Sequence, residues 1–340
     1  MILPYSIIRL LILLKVQMYN MNKASKIALL SFLLIFTNIE ILPAQEPRDH
    51  TEPREYKQHK CKGLFAPDST AQSRFNQKAD QVLSSVFKPD PEFIADSLIK
   101  VFDDSPSFGI YKDNYIVLGT ELFRNPNRYN SDAKFQISVS QRLTNSILPF
   151  RTYLFLTYTQ LAFWDVFQES FPFRDINFNP TVGLAKPLIY KNRYLGEIAF
   201  QMEHESNGKD GDASRSWNKV SFQGQFKINP HWSYFTKLWV PIVDGENNRN
   251  IVRYRGWATS AISYNQKQKF NASLIINKRG GAVLNANITV NFAYRLFQDE
   301  NQYLFFEYYD GYGEGLLDFD RYHQRFRLGF VIKPNFRFIY

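Results

Sequence analysis

Residues Leu284 to Leu296 read L-N-A-N-I-T-V-N-F-A-Y-R-L. Leu284, Ala286, Ile288, Val290, Phe292, Tyr294 and Leu296 fall on one face of an extended chain. Asn285, Asn287, Thr289, Asn291 and Arg295 fall on the other. The run is longer than an ordinary strand, and its polar face is strongly polar. A soluble sandwich hides its apolar face under a second sheet, whereas a barrel in lipid turns that face outward and keeps Asn and Arg inside. The end of the chain repeats the pattern, with Phe326, Leu328, Phe330 and Ile332 opposed to Arg325, Arg327 and Lys333.

Working outward, similar segments recur at 114–120, 132–142, 151–164, 177–185, 194–206, 214–226, 231–240, 251–264, 268–277, 284–296, 302–310 and 323–340. That is an even number, as single-chain bacterial barrels require. Turn chemistry separates several of them: Asn229-Pro230, Gly245 to Asn248, and Gly280-Gly281. Phe336, Phe338 and Tyr340 share one face at the terminus, an aromatic ending common in exported barrels. Composition agrees: 16% aromatic residues, with 31 Phe and 20 Tyr, beside a mean hydropathy of only −0.34. The predicted fold is an all-β, twelve-stranded antiparallel transmembrane barrel over residues 108–340.

Upstream, Lys23 and Lys26 precede an apolar run from Ile27 to Phe36, and Leu42-Pro43-Ala44 follows. This is the layout of a secretory signal peptide over residues 1–44, with Met21 as the expected start and Gln45 the first mature residue. Residues 45–107 are polar, with one short helix expected from Asp90 as N-cap, Pro91, then Ile94, Leu98 and Val101 on one face. The single Cys61 excludes an internal disulfide and a cysteine-built metal site. The net charge of +9 is spread through strand-like segments, so no nucleic-acid groove is expected.

The chemistry concentrates in H-E-S-N-G-K-D-G-D-A-S-R-S-W-N, His204 to Asn218. His204 and Ser206, two apart on a strand, share a face, and Asn218 returns on the next strand. A base, a hydroxyl and an amide that orients the base make a Ser-His triad with a carboxamide in place of the usual carboxylate. Parity puts His204 and Ser206 with Ile198, Phe200 and Met202, and Asn218 with Val220, Phe222 and Phe226. All three therefore lie on the apolar, outward face, where unpaired polar groups are costly. Arg215 and Trp217 have the opposite parity and read as interior structural residues, as do Arg174 and Asp175. With both termini periplasmic, the site lies at the top of the fifth and sixth strands, at the outer leaflet.

These residues resemble the bacterial outer-membrane phospholipase A family over about 106–340. The likeness is carried by P-S-F-G-I-Y-K-D-N-Y-I (106–116), K-F-Q-I-S-V (134–139), Y-T-Q (158–160), S-F-P-F-R-D-I-N-F-N-P (170–180) and the H-E-S-N-G…S-R-S-W-N run. The resemblance implies a calcium-dependent phospholipase with A1, A2 and lysophospholipase activity, active as a homodimer on membrane phospholipids. It implies Ser206 as nucleophile, His204 as base, Asn218 as the orienting residue, and main-chain N–H groups of Asn207 and Gly208 toward the oxyanion. Ser214 and the Lys209 carbonyl match calcium ligands. Ser170 matches a position completing the partner's site, and Gln160 matches a dimer-interface residue. Lys209 stands where arginine is usual. Asp210 and Asp212 are shifted from the family pattern and read equally well as extra calcium donors or as exposed turn residues.

Two other readings start from the same residues. A passive barrel would act as a channel, but twelve strands with long inward side chains should leave little lumen. A lipopolysaccharide deacylase also uses His and Ser, but the strand count and S-R-S-W-N run oppose it. His50, His59, His231 and His323 have no nucleophile at matching spacing.

Overall fold

The computed structural model describes residues 95–334, apart from 191–192, 243–247, 267–268 and 298–300. The expected leader, the polar segment to residue 94 and the terminal Phe336, Phe338 and Tyr340 lie outside the described residues. The chain runs α1 (Ala95–Asp103), β1 (Phe108–Ile110), β2 (Asn114–Glu121), β3 (Ser131–Arg142), β4 (Tyr153–Trp164) and β5 (Phe173–Tyr190). Then come β6 (Arg193–Ser206), β7 (Ser216–Lys227), β8 (Trp232–Ile242), α2 (Ile251–Arg255) and β9 (Ala258–Gln266). It finishes with β10 (Phe270–Lys278), β11 (Ala286–Arg295), β12 (Gln302–Tyr312) and β13 (Tyr322–Ile332).

Each strand from β2 to β13 pairs antiparallel with its sequence neighbours, and β13 closes onto β2 from Asn114↔Ile332 to Arg325↔Glu121. The result is a closed twelve-stranded barrel. Closure satisfies every edge, which an apolar surrounding demands. The short β1 pairs with Val139 to Gln141 of β3, beside the place where β2 begins. In effect the first strand is broken at Tyr111 to Asp113, and Tyr111 turns inward, only 2% exposed.

Period-two patterning becomes two different walls. Along β6 the outward Phe200 and Met202 are 50% and 58% exposed, while the inward Gln201 is fully buried. A band of phenylalanines crosses the outer wall from β10 to β13: Phe270–Phe292, Phe292–Phe306 and Phe306–Phe326, at 6.2, 5.8 and 4.2 Å between ring centres. Inside, buried charges pair. Lys134 reaches Glu307 at 2.9 Å, Arg327 reaches Glu307 at 3.1 Å, and Arg174 reaches Asp132 at 2.7 Å.

Three features depart from the sequence reading. The fourth barrel strand, expected over 177–185, extends over Phe173–Tyr190. The strand expected over 251–264 starts at Ala258, because Ile251–Arg255 is a short helix. I-V-R-Y-R alternates like a strand, but Ile251 is fully buried in a cluster with Trp217, Leu316 and Phe319. That burial overrides the local pattern, and Gly256, at φ +81°, turns the chain back to the wall. The interior is also roomier than expected. Short Asn, Ser and Thr side chains on β9 to β11 border a cavity of about 890 Å³, which runs from Asn229 and Lys333 to Arg255 and Glu314. Above it, residues 251–255 and 313–321 fold inward and cap this end of the barrel.

At the opposite end, Arg142 of β3 donates to the carbonyls of Phe102 and Ser105, both at 2.7 Å. These contacts satisfy main-chain groups at the C-terminal end of α1. The expected helix is thus present where the chain is described, and it docks beneath the wall.

Candidate active site

β6 and β7 form a hairpin in which His204 lies opposite Asn218 and Ser206 opposite Ser216. The N–H of Asn207 donates to the Arg215 carbonyl at 2.9 Å, so odd-numbered residues at this end of β6 bond β7. His204 and Asn218 are then a non-hydrogen-bonded pair, the type whose side chains approach most closely. His204 Nδ1 and Asn218 Oδ1 are 2.9 Å apart. An amide oxygen only accepts, so Nδ1 carries the proton and Nε2 is left as an acceptor.

His204 and Asn218 are exposed and Ser206 is half-buried, all on the outward face. Among the described residues, neither His204 Nε2 nor the Ser206 hydroxyl has a hydrogen-bond partner. Two residues of strand span about 6.6 Å, a gap that Ser and His side chains on one face can bridge. Catalytic hydrogen bonds often tighten only once substrate is bound.

The turn after Ser206 is tied by one side chain. Asn207 is buried, and its Oδ1 accepts from the N–H groups of Arg215 at 2.9 Å and Lys209 at 3.3 Å. Its Nδ2 donates to the Ala213 carbonyl at 2.9 Å. The two amides expected at an oxyanion therefore differ: that of Asn207 is spent on Arg215, whereas that of Gly208 has no partner among the described residues. Gly208 has φ +64°, and a Cβ there would stand 3.0 Å from the Phe178 ring, so the position suits glycine on two counts.

Lys209 Nζ donates to the Arg174 carbonyl at 2.8 Å and pins the turn to β5. Arg215 Nη1 holds the carbonyls of Asp212 and Ser214, both at 2.7 Å. The Ser214 hydroxyl and the Lys209 carbonyl bond none of the described residues. Asp210 and Asp212 are exposed. No group of three or more His, Cys, Asp and Glu among the described residues could hold a metal ion. What the turn offers instead is neutral oxygen, the donor type a hard, flexible ion such as calcium accepts. Ser170 is exposed in the turn between β4 and β5, at φ +63°. Gln160 accepts from the Tyr158 hydroxyl at 3.1 Å and pairs with Phe178, which pairs in turn with Ser206. Gln160 thus shares a row of the outer wall with Ser206, two strands away.

Sequence reasoning missed the inner supports of the hairpin. Glu205, directly between His204 and Ser206, points inward and accepts from Trp217 Nε1 at 2.9 Å and Lys219 Nζ at 3.0 Å. Arg255 of α2 binds its other oxygen at 2.7 Å. Asn179 of β5 donates from its side chain to the His204 carbonyl at 2.8 Å. The one available signal was Pro180, a proline inside a strand pattern, which marks a broken ladder. Among the remaining histidines, His231 Nδ1 lies 3.0 Å from the Asn265 carbonyl, and His323 Nε2 lies 2.9 Å from Asp318. His50 and His59 fall outside the described residues.

Comparison with known proteins places the barrel. A family profile described as Phospholipase A1 matches residues 110–332. Phospholipase A1 of Proteus vulgaris is 29% identical over 221 residues, covering 62% of this chain and 72% of that protein. Outer membrane phospholipase A from Escherichia coli shares the fold with a TM-score of 0.60 and 24% identity, over 68% of this chain and all of that one. A Salmonella typhi outer membrane phospholipase, solved as a dimer with bound calcium, gives a TM-score of 0.60 and 23% identity over 75% of this chain and 98% of that one.

Proposed function

The chain belongs to the phospholipase A1 family, and from that premise we propose that it hydrolyses phospholipid acyl esters with Ser206, His204 and Asn218 on the outside of its barrel. That it is an outer-membrane phospholipase follows from the family. The observation that carries the finer reading is the 2.9 Å contact between His204 Nδ1 and Asn218 Oδ1, with Ser206 on the same outward face.

In this reading Ser206 Oγ attacks the ester carbonyl carbon while His204 Nε2 takes its proton. The carbonyl oxygen becomes an oxyanion, and the Gly208 N–H is free to receive it. Collapse breaks the ester bond, and His204 returns the proton to the leaving lysophospholipid oxygen. Water, deprotonated by the same imidazole, then attacks the acyl carbon, and the imidazole passes that proton to Ser206 Oγ as the bond to the fatty acid breaks. Asn218 holds the starting tautomer, and Asn207 keeps the turn closed, which leaves the Gly208 amide unspent.

Calcium fits this turn. The Ser214 hydroxyl and the Lys209 carbonyl would hold it, and when bound it would add positive charge at the developing oxyanion. Two protein oxygens leave a hard cation underfilled. Ser170 of a second copy is the proposed further donor, with Gln160 in the contact between copies, which would make the dimer the active form. The calcium-bound dimer of the Salmonella protein supports both steps. The proposed division of the chain is an export signal over 1–44, a polar segment over 45–107 and the catalytic barrel over 108–340.

The proposed orientation faces the site toward the outer leaflet: its end of the barrel carries the long connections 122–130, 207–215 and 313–321, while the other end, apart from 143–152, includes the short 228–231. Bacterial barrels keep short turns in the periplasm. Refolded protein in detergent-dispersed phospholipid is expected to release fatty acid with calcium present and to stop on chelation or in Ser206→Ala. Activity retained in Ser206→Ala would remove the nucleophile assignment. Ion conduction without hydrolysis would favour the channel reading.

A further inference from the structure

The main chain of His204 is held as deliberately as its ring. Odd-numbered residues at the end of β6 bond β7, as the Asn207-to-Arg215 contact shows. His204 therefore aims its own N–H and C=O at β5. The pairing of β5 with β6 passes from Phe178↔Ser206 straight to Thr181↔Glu203. That register puts Pro180 across from His204. A proline has no N–H, so the ladder bond owed to the His204 carbonyl is missing at this one step.

Asn179 supplies it. Its side chain points inward, is 7% exposed, and donates from Nδ2 to the His204 carbonyl at 2.8 Å. The imidazole is gripped from β7 by Asn218, and the peptide behind it is gripped from β5 by Asn179. We propose that Asn179 is a positioning residue of the phospholipase site, standing in for the N–H that Pro180 lacks. The inference rests on His204 acting as the base. Loss of this bond lets the His204 peptide rotate about its two neighbours, which misaligns Nε2 with Ser206 without touching the surface that binds lipid.

The expected signature is a fall in kcat of about tenfold or more in Asn179→Ala, with KM changed by less than about twofold. A double-mutant cycle separates positioning from mere packing. In a Pro180→Ala background, residue 180 has an N–H that can donate to the His204 carbonyl. There the same Asn179→Ala change should alter kcat by less than about twofold. The four full-length proteins are refolded and assayed on detergent-dispersed phospholipid with calcium, with Ser206→Ala as the zero and rates expressed per folded barrel. Asn179→Asp keeps the volume but presents only acceptors to the carbonyl, and provides the same comparison should Asn179→Ala not fold.

Equal loss in the two backgrounds, or a lowered unfolding temperature with kcat unchanged, overturns the role of Asn179 and leaves the Ser206 reading standing. A wild type with no Ser206-dependent hydrolysis overturns both together.

Discussion

The β6–β7 and β12–β13 hairpins are alike on the inside of the barrel and different on the outside. Inside, each buries carboxylates against cations. Glu203 meets Lys237 at 2.7 Å and Glu205 meets Arg255 at 2.7 Å on one wall. On the other, Glu307 meets Lys134 at 2.9 Å and Arg327 at 3.1 Å. Outside, both carry polar groups at the same end, but on β12–β13 the carboxylate among them is held by its neighbours. Asp310 accepts from Tyr308 and Tyr322 hydroxyls at 2.8 Å and from Gln324 at 2.9 Å. On β6–β7, Asn218 Oδ1 lies 2.9 Å from His204 Nδ1, and the Ser206 hydroxyl beside it has no partner among the described residues. Polarity at the rim of the outer wall is therefore no sign of chemistry by itself. An oriented base next to an unspent hydroxyl is.

The largest effect should come from removing that hydroxyl. Ser206→Ala is expected to lower hydrolysis by about a thousandfold or more, while Asp310→Ala on the other hairpin stays within about threefold of wild type. Fatty-acid release per folded barrel measures both. Comparable loss in the two would erase the distinction between the hairpins. Chelation should silence the wild type to a similar degree and added calcium should restore it, with the barrel's heat-dependent gel mobility unchanged throughout.

Asn218→Ala should cost less, about tenfold to a hundredfold in kcat, because orientation contributes less than the nucleophile itself. Breaking the inner pairs should sort the walls differently. Lys134→Met leaves Glu307 and Glu314 short of a buried cation, at a cost of about 3–5 kcal/mol of stability. Activity per folded barrel should not change, because the site is on another wall. Chemical unfolding beside a turnover assay checks the pair of expectations.

The smallest effect concerns the cap at residues 313–321. Burial opposes ionisation of Asp318, but the hydrogen bond and charge of His323, with Arg174, outweigh it and hold the carboxyl below its ordinary value of 3.8. A lowered carboxylate stabilises the folded state above that value and loses its contribution as pH falls through and below it. Proteolysis of the 313–321 segment should accelerate below about pH 4 in the wild type and respond less to pH in Asp318→Asn.

Much of this was readable in sequence because it depends on near neighbours. Period two sets the strands and tells inner from outer residues, and in the structure His204, Ser206 and Asn218 lie on the outward wall. The family resemblance puts both Asn207 and Gly208 at the oxyanion, yet only register reveals that the Asn207 amide is already bonded to Arg215. Distant contacts were the ones lost. Ile251–Arg255 is helical because Ile251 finds a pocket made by Trp217, Leu316 and Phe319, which no local pattern announces. Asn179 matters through the carbonyl of a residue on the next strand, and Arg255 through Glu205 50 positions away.

The proposal for Ser206 is that its neighbours make this outward hydroxyl nucleophilic. An alkyl sulfonyl fluoride tests it directly, since attack by a serine oxygen expels fluoride and leaves a sulfonate ester that peptide mass spectrometry can locate. The expected result is a label on Ser206 in the refolded, calcium-loaded protein, with labelling lost in His204→Ala. A barrel that stays unlabelled at Ser206, or is labelled there equally well without His204, would contradict it.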